Sequence, residues 1–253
     1  MSRCIGSIHG NILLSEINPR WAPFNPLTQA AEWFELVSAD ELRALESAPR
    51  CTYDDAIDLL HTRTAAANKK LVIRDWTQVD FIPGRYPISP VYRLTQYEHL
   101  KERYTVNEAA IVRDPVDTYL SLTRLPDFRG WLGLDTFLAG YRFFIEALPD
   151  TCCVRYEDFC ESPENIIRQL SSKLCINYNP DFMHQYEKYD RITGETHVGH
   201  QQYTLTGDSI DERAPGAIQV MPKRPEYEKT LETAQNNEDY IASLEIITSK
   251  LAD

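Results

Sequence analysis

Apolar runs and amphipathic stretches alternate along the 253 residues of the chain. Ala109, Ala110, Ile111 and Val112 form a short run suited to a strand buried on both faces. Leu71–Trp76 (LVIRDW) predicts a second buried strand and Cys152–Glu157 (CCVRYE) a third. Arg3–Glu16 predicts a short strand, a turn through Gly6, Ser7, His9, Gly10 and Asn11, and then a helical apolar run. Helical spacing predicts helices over Pro26–Val37, Ala39–Glu46 with Ser38 or Asp40 as its cap, Thr52–Asn68, Leu94–Tyr104 and Thr136–Leu148. A further helix opens at Ser162-Pro163 and runs to Leu174, and a terminal one starts near Tyr227. Asn18–Asn25 reads as a rigid aromatic loop and Phe81–Pro90 as a proline-rich one, while the chain from Asp190 onward is polar and turn-rich. Strands that alternate with helices and end in charged turns predict an α/β fold, with a central, mostly parallel sheet flanked by helices in one domain, 1–253.

The sharpest change of period lies at Arg113-Asp114-Pro115. A strand ends at Arg113 and a helix begins at once, because Asp114 suits the N-cap, Pro115 the first helical position, and Asp117 the positive end of the dipole. Ser121 follows seven residues past the cap, roughly 10 Å along the axis and on the side of Asp114 and Asp117. An anion touching Arg113 and Ser121 therefore lies beside the helix, not at its tip. The planar fork of an arginine with one hydroxyl donor suits a terminal phosphate.

Composition narrows the partners. A formal charge of −12 argues against a nucleic-acid or anionic-membrane surface, so an anionic ligand needs a local cluster of donors. The six cysteines lack metal-type spacing and suit reduced core residues. His197 and His200, three apart, have no evident third ligand, so no metal is expected. No run approaches a membrane span and no signal peptide is seen, which makes a cytoplasmic location the expectation.

The stretch Arg113, Asp114, Pro115, Asp117 and Ser121 resembles the 3′-phosphate-binding motif of the sulfotransferases, and Tyr156, Glu157, Asp158 and Phe159 followed by Pro163 resemble a second segment of that family, in the same order. The resemblance implies a P-loop NTPase-like sheet and transfer of a sulfuryl group from 3′-phosphoadenosine-5′-phosphosulfate, a co-substrate, to a hydroxyl or amine. Arg113 and Ser121 would hold the 3′-phosphate, and the Tyr-Glu-Asp segment would order the fold behind them. The family's 5′-phosphosulfate loop aligns best with Ile8, His9, Gly10, Asn11 and Ile12; a second alignment uses Arg3, Gly6 and Ser7. The basic C-terminal loop of the family leaves Lys223 and Arg224, with Arg191, Arg213 and either histidine as further fragments. Where many members carry Lys-x-His, this chain has Arg74 and Trp76. Arg74 would then neutralise charge on the bridging oxygen, with Asp75 as the base and Asp80 or His9 as its substitutes. The acceptor would be a small molecule, carbohydrate or lipid-like alcohol; Trp21, Phe24, Trp76, Phe81 and Tyr86 suggest an aromatic or sugar-ring surface. The alternatives are a catalytically decayed binding or scaffold protein of the same fold and a P-loop small-molecule kinase, which the absent Walker lysine disfavours.

Overall fold

In a computed structural model, residues 1–47, 51–85, 87–149, 153–193 and 226–251 are described. The elements run α1 (Ser2–Ser7), β1 (Asn11–Ile17), α2 (Pro26–Phe34), α3 (Ala39–Ser47), α4 (Tyr53–Ala66), β2 (Lys70–Asp75), α5 (Gln78–Phe81), α6 (Thr95–Lys101) and β3 (Ala110–Val112). They continue with α7 (Pro115–Leu122), α8 (Leu134–Ala147), β4 (Cys153–Arg155), α9 (Tyr156–Glu161), α10 (Pro163–Lys173), α11 (Phe182–Gln185), α12 (Tyr227–Ala234) and α13 (Glu238–Lys250). The expected α/β class holds. The chain divides into two compact units, one of Met1–Trp76 with Cys175–Glu195 and one of Thr77–Leu174 with Thr196–Asp253, and each contains one parallel strand pair among its described residues.

In the first unit β1 pairs with β2 from Asn11 opposite Lys70 to Ile17 opposite Asp75. Every residue of β1 is buried, so its side chains pack on both faces and the sequence lacks polar alternation. Leu14 and Ile17 join Leu27 and Ala30 of α2, Val37, and Ala56 and Leu60 of α4 in one core. Thr52 and Asp55 cap α4 reciprocally as a capping box, and Ser38 caps α3 by accepting from the Glu41 N–H. The pairing slips between Ser15 and Ile17, where Glu16 adopts a left-handed φ of 58°.

Buried polar bonds tie this bulge to α2. The Ser15 N–H donates to Gln29 Oε1 and the Gln29 amide donates back to the Ser15 carbonyl, both at 2.7 Å. Ser15 Oγ, fully buried, also meets the Arg74 guanidinium at 3.2 Å and accepts from the Thr193 N–H at 3.1 Å.

In the second unit β3 pairs with β4, Val112 opposite Arg155. The expectation that the first of these is buried on both faces is corrected: Val112 is 2% exposed and packs into the core, but Ile111, on the other face, is 42% exposed. Val112 and Val116 of α7 pack with Phe137, Leu138, Tyr141 and Ile145 of α8 around Phe81 and Phe128. Gly140 allows the closest approach in this core, since a Cβ there would lie 2.3 Å from the Phe81 carbonyl oxygen. The predicted terminal helix is two, α12 and α13, with Asn237 capping the second through bonds from the Asp239 and Tyr240 N–H groups. No described helix is long and apolar enough to cross a membrane.

Replacing Gln29 by Leu keeps the volume but leaves the buried Ser15 N–H without an acceptor. A loss of about 1–3 kcal/mol is expected, read as a lowered urea midpoint at unchanged slope.

Candidate functional sites

The N-terminal loop is not built as the sequence suggests. A phosphate loop needs a strand before it and a helix after it; here helix α1 precedes the turn and strand β1 follows it. Gly6 lies inside α1, where a Cβ would sit 2.4 Å from the Tyr189 ring, and Ser7 Oγ donates to the Cys4 carbonyl. Gly10 turns the chain at φ 92°, and Asn11 spends its amide on the Ile5 and Asn177 carbonyls. Ile8 and Ile12 are buried in the core, and His9 is exposed on the turn. Ligands of parallel sheets gather at the carboxyl ends of the strands. The stretch from Ser7 to Ile12 stands at the amino end of β1, roughly 20 Å from the other end at 3.3 Å per residue. His9 therefore cannot substitute for a base at Asp75.

The strand–turn–helix order occurs one step later, from β1 through residues Asn18–Asn25 into α2. Asn18, 3% exposed, organises it: its Oδ1 accepts from the Arg20 N–H at 2.9 Å and its carbonyl from the Trp21 N–H at 3.0 Å. Its Nδ2 donates to Asp75 Oδ1 at 3.0 Å, fastening the turn to the end of β2. Asn25 then caps α2 by accepting from the Leu27 N–H, with Pro26 in the first position. The sequence read this stretch only as a rigid aromatic loop; the paired Asn18-Pro19 and Asn25-Pro26 steps were the signal for a turn and a capped helix.

Arg74 and Asp75 have different fates. Arg74 is drawn inward to Ser15 Oγ, the Thr193 carbonyl at 3.1 Å and Glu16 Oε1 at 3.4 Å, so its donors serve the bulge of β1. Asp75 faces the Asn18 turn beside Trp76. Asp80, the other substitute base, is fully buried in the second unit and accepts from the Thr95 N–H and hydroxyl, which makes it a brace.

The Asp-Pro hinge matches the expected construction. Asp114 caps α7 by accepting from the Asp117 N–H at 2.9 Å, and its second oxygen accepts from the Tyr227 hydroxyl at 2.9 Å. The buried Tyr141 hydroxyl accepts from the Arg113 N–H and donates to the Arg113 carbonyl, locking the residue at the strand end. The Arg113 guanidinium lies 4.8 Å above the Tyr156 ring and 3.7 Å from Asp117 Oδ2. Its Nε is buried with no acceptor among the described residues. Ser121 stands four residues past Asp117 on α7, half-buried. The Tyr-Glu-Asp segment does support this hinge, through Tyr156 beneath the guanidinium and Glu157 Oε1, which accepts from the Asp114 N–H at 3.4 Å. Ser162 occupies the cap position of α10 but makes no side-chain capping bond.

Lys223, Arg224, Arg213, His197, His200 and Tyr86 lie outside the described residues. Among the described residues no group of three histidine, cysteine or acidic side chains is arranged to hold a metal. Compared with protein-family models, with curated proteins and with solved structures, the chain matches none.

Burial raises the phenol of Tyr141 far above its ordinary value, and raises Tyr156 to about 12, with Cys160 adding to the shift at Tyr156. Burial likewise raises Tyr189 to about 12. A raised pKa means that the folded state keeps its proton after the unfolded chain has lost it. The stability this gives is complete below about pH 10 and is lost as pH rises toward 12. Absorbance titration at alkaline pH should leave these three phenols un-ionised until the chain unfolds, and Tyr156→Phe should make the decline above about pH 10 shallower.

Proposed function

We propose that the protein is a sulfotransferase that moves a sulfuryl group from 3′-phosphoadenosine-5′-phosphosulfate to an acceptor hydroxyl. The observation that carries this reading is Arg113, a guanidinium fixed at a strand end by Tyr141 and Tyr156, with a buried Nε that meets no acceptor among the described residues. Buried donors are ordinarily satisfied. An oxyanion beside α7 would meet Nε and then the Ser121 hydroxyl, which is the pairing assigned to the 3′-phosphate by the sequence resemblance. Asp117 competes for only one edge of the guanidinium, and at 3.7 Å it makes no close hydrogen bond there.

In the first unit the donors of Arg74 are engaged by Ser15, Glu16 and Thr193, while Asp75 is held by Asn18 at the end of β2. Asp75 is the base in this proposal. The acceptor oxygen bonds to sulfur, the bond from sulfur to the bridging oxygen breaks with its electron pair left on the 5′-phosphate, and the hydroxyl proton passes to Asp75. The protein's contribution in such a transfer is position and charge at the reacting groups. A sheet of P-loop NTPase type belongs to the same proposal, supported by the two parallel strand pairs, each followed by a strand-to-helix turn.

Calorimetry with 3′,5′-bisphosphorylated adenosine tests the assignment. Arg113→Ala and Ser121→Ala should each weaken its binding by about 1.5–3 and 0.5–1.5 kcal/mol respectively, and leave adenosine 5′-monophosphate unaffected. Equal losses for both nucleotides would remove the 3′-phosphate from Arg113.

A further inference from the structure

The guanidinium of Arg113 stands between two attractions that pull it in different directions. Its flat face rests on the Tyr156 ring at 4.8 Å, and Asp117, one turn along α7, presents Oδ2 at 3.7 Å. The arginine and aspartate side chains are only 20% and 11% exposed, so water screens the pair weakly. An ion pair in that setting ordinarily closes to hydrogen-bond contact, about 2.7–2.9 Å. This one stays open, although Tyr141 fixes the Arg113 peptide and not its side chain.

The other carboxylates of the hinge are turned to other donors. Asp114 accepts from the Asp117 N–H and the Tyr227 hydroxyl, and Glu157 accepts from the Asp114 N–H. Tyr156 is itself held: it opens α9, and its hydroxyl donates to the sulfur of Cys160, one turn on and fully buried. A ring anchored at both ends can keep a planar cation in register with its face. With the ring gone, the guanidinium would swing onto Asp117 and turn Nε away from the position where it now meets no acceptor among the described residues.

We infer that Tyr156 is a positioning residue that holds the Arg113 guanidinium off Asp117, and that Asp117 is an internal competitor for an anion bound there. The anion rests on the 3′-phosphate reading above; the contest between ring and carboxylate does not.

The test is a double-mutant cycle on the full chain, read by calorimetry with 3′,5′-bisphosphorylated adenosine. Tyr156→Leu should weaken binding about tenfold when Asp117 is present and less than about twofold once Asp117 is replaced by Asn, because the competitor is then gone. A ring that only packs beneath the hinge would cost the same in both backgrounds. Tyr156→Phe keeps the face and should bind within about twofold of the native chain. Asp117→Glu, which lengthens the competing carboxylate and leaves the ring in place, should weaken binding severalfold whether or not the Leu variant folds. A crystal structure of Tyr156→Leu without nucleotide should show Arg113 hydrogen-bonded to Asp117. Equal losses in both backgrounds, a guanidinium still in its native position, or unchanged affinity in Asp117→Glu would each overturn the inference. Closure onto Asp117 in a chain that binds no bisphosphorylated nucleotide would count against the 3′-phosphate reading alone. Nucleotide binding that needs Arg113 but shows no coupling in the cycle would count against this inference alone.

Discussion

The geometry at the carboxyl end of the first sheet depends on one buried side chain, Asn18. Its side-chain amide accepts from the Arg20 N–H and donates to Asp75 on the neighbouring strand, while its carbonyl accepts from the Trp21 N–H, so the chain reverses after β1 and the reversal is fastened to β2. The backbone of Arg20 and Trp21 and the carboxylate of Asp75 are thereby given fixed positions by one asparagine. The preceding bulge makes this possible. With Glu16 turned to φ 58°, Ile17 and not Glu16 stands opposite Asp75, and the strand delivers Asn18 to the edge in the right orientation. A left-handed glutamate costs about 1–3 kcal/mol, and the reciprocal Ser15–Gln29 bonds offset it by holding the strand against α2 on the residue before.

The second unit solves a related problem differently. A strand gives way to a helix within two residues, so the intervening backbone groups need partners at once. Tyr141 takes both polar groups of the Arg113 peptide, Asp114 satisfies the Asp117 N–H, and Glu157 meets the N–H of Asp114 itself. These carboxylates make the surroundings of Arg113 acidic, in a chain whose formal charge is already −12. An anion at this hinge would be repelled by these carboxylates, and only direct hydrogen bonds to the guanidinium could offset that repulsion.

Features decided by neighbours in sequence were legible in advance. The Asp114-Pro115 start of α7, the span of β2 and the helices α2, α3 and α4 follow from caps and periodicity that act over a few residues. The N-terminal stretch was misread for a tertiary reason. A strand buried on both faces carries no alternation, so Ile12, Leu13, Leu14 and Ile17 fit a helix as well as a strand. Gly6 was taken for a loop glycine, yet it lies in α1, where the Tyr189 ring, 183 positions away, leaves no space for a Cβ. With that segment shifted, the phosphate-loop grammar fell on Ser7–Ile12 and the turn containing Arg20 was read only for its aromatic content.

Arginines in an acidic protein separate by how their donors are used. Arg63 gives its guanidinium to both oxygens of Glu41 and to the Leu36 carbonyl, and Arg74 spreads its donors over Ser15, Glu16 and Thr193. Both are joints between elements, and a ligand would have to displace a protein acceptor to reach them. Arg113 is held by its backbone and by the face of Tyr156, with Asp117 Oδ2 3.7 Å from one edge and Nε without an acceptor among the described residues. The sequence places an arginine at the end of three strands, and donor use separates Arg113, whose Nε has no acceptor among the described residues, from Arg74, which braces the sheet.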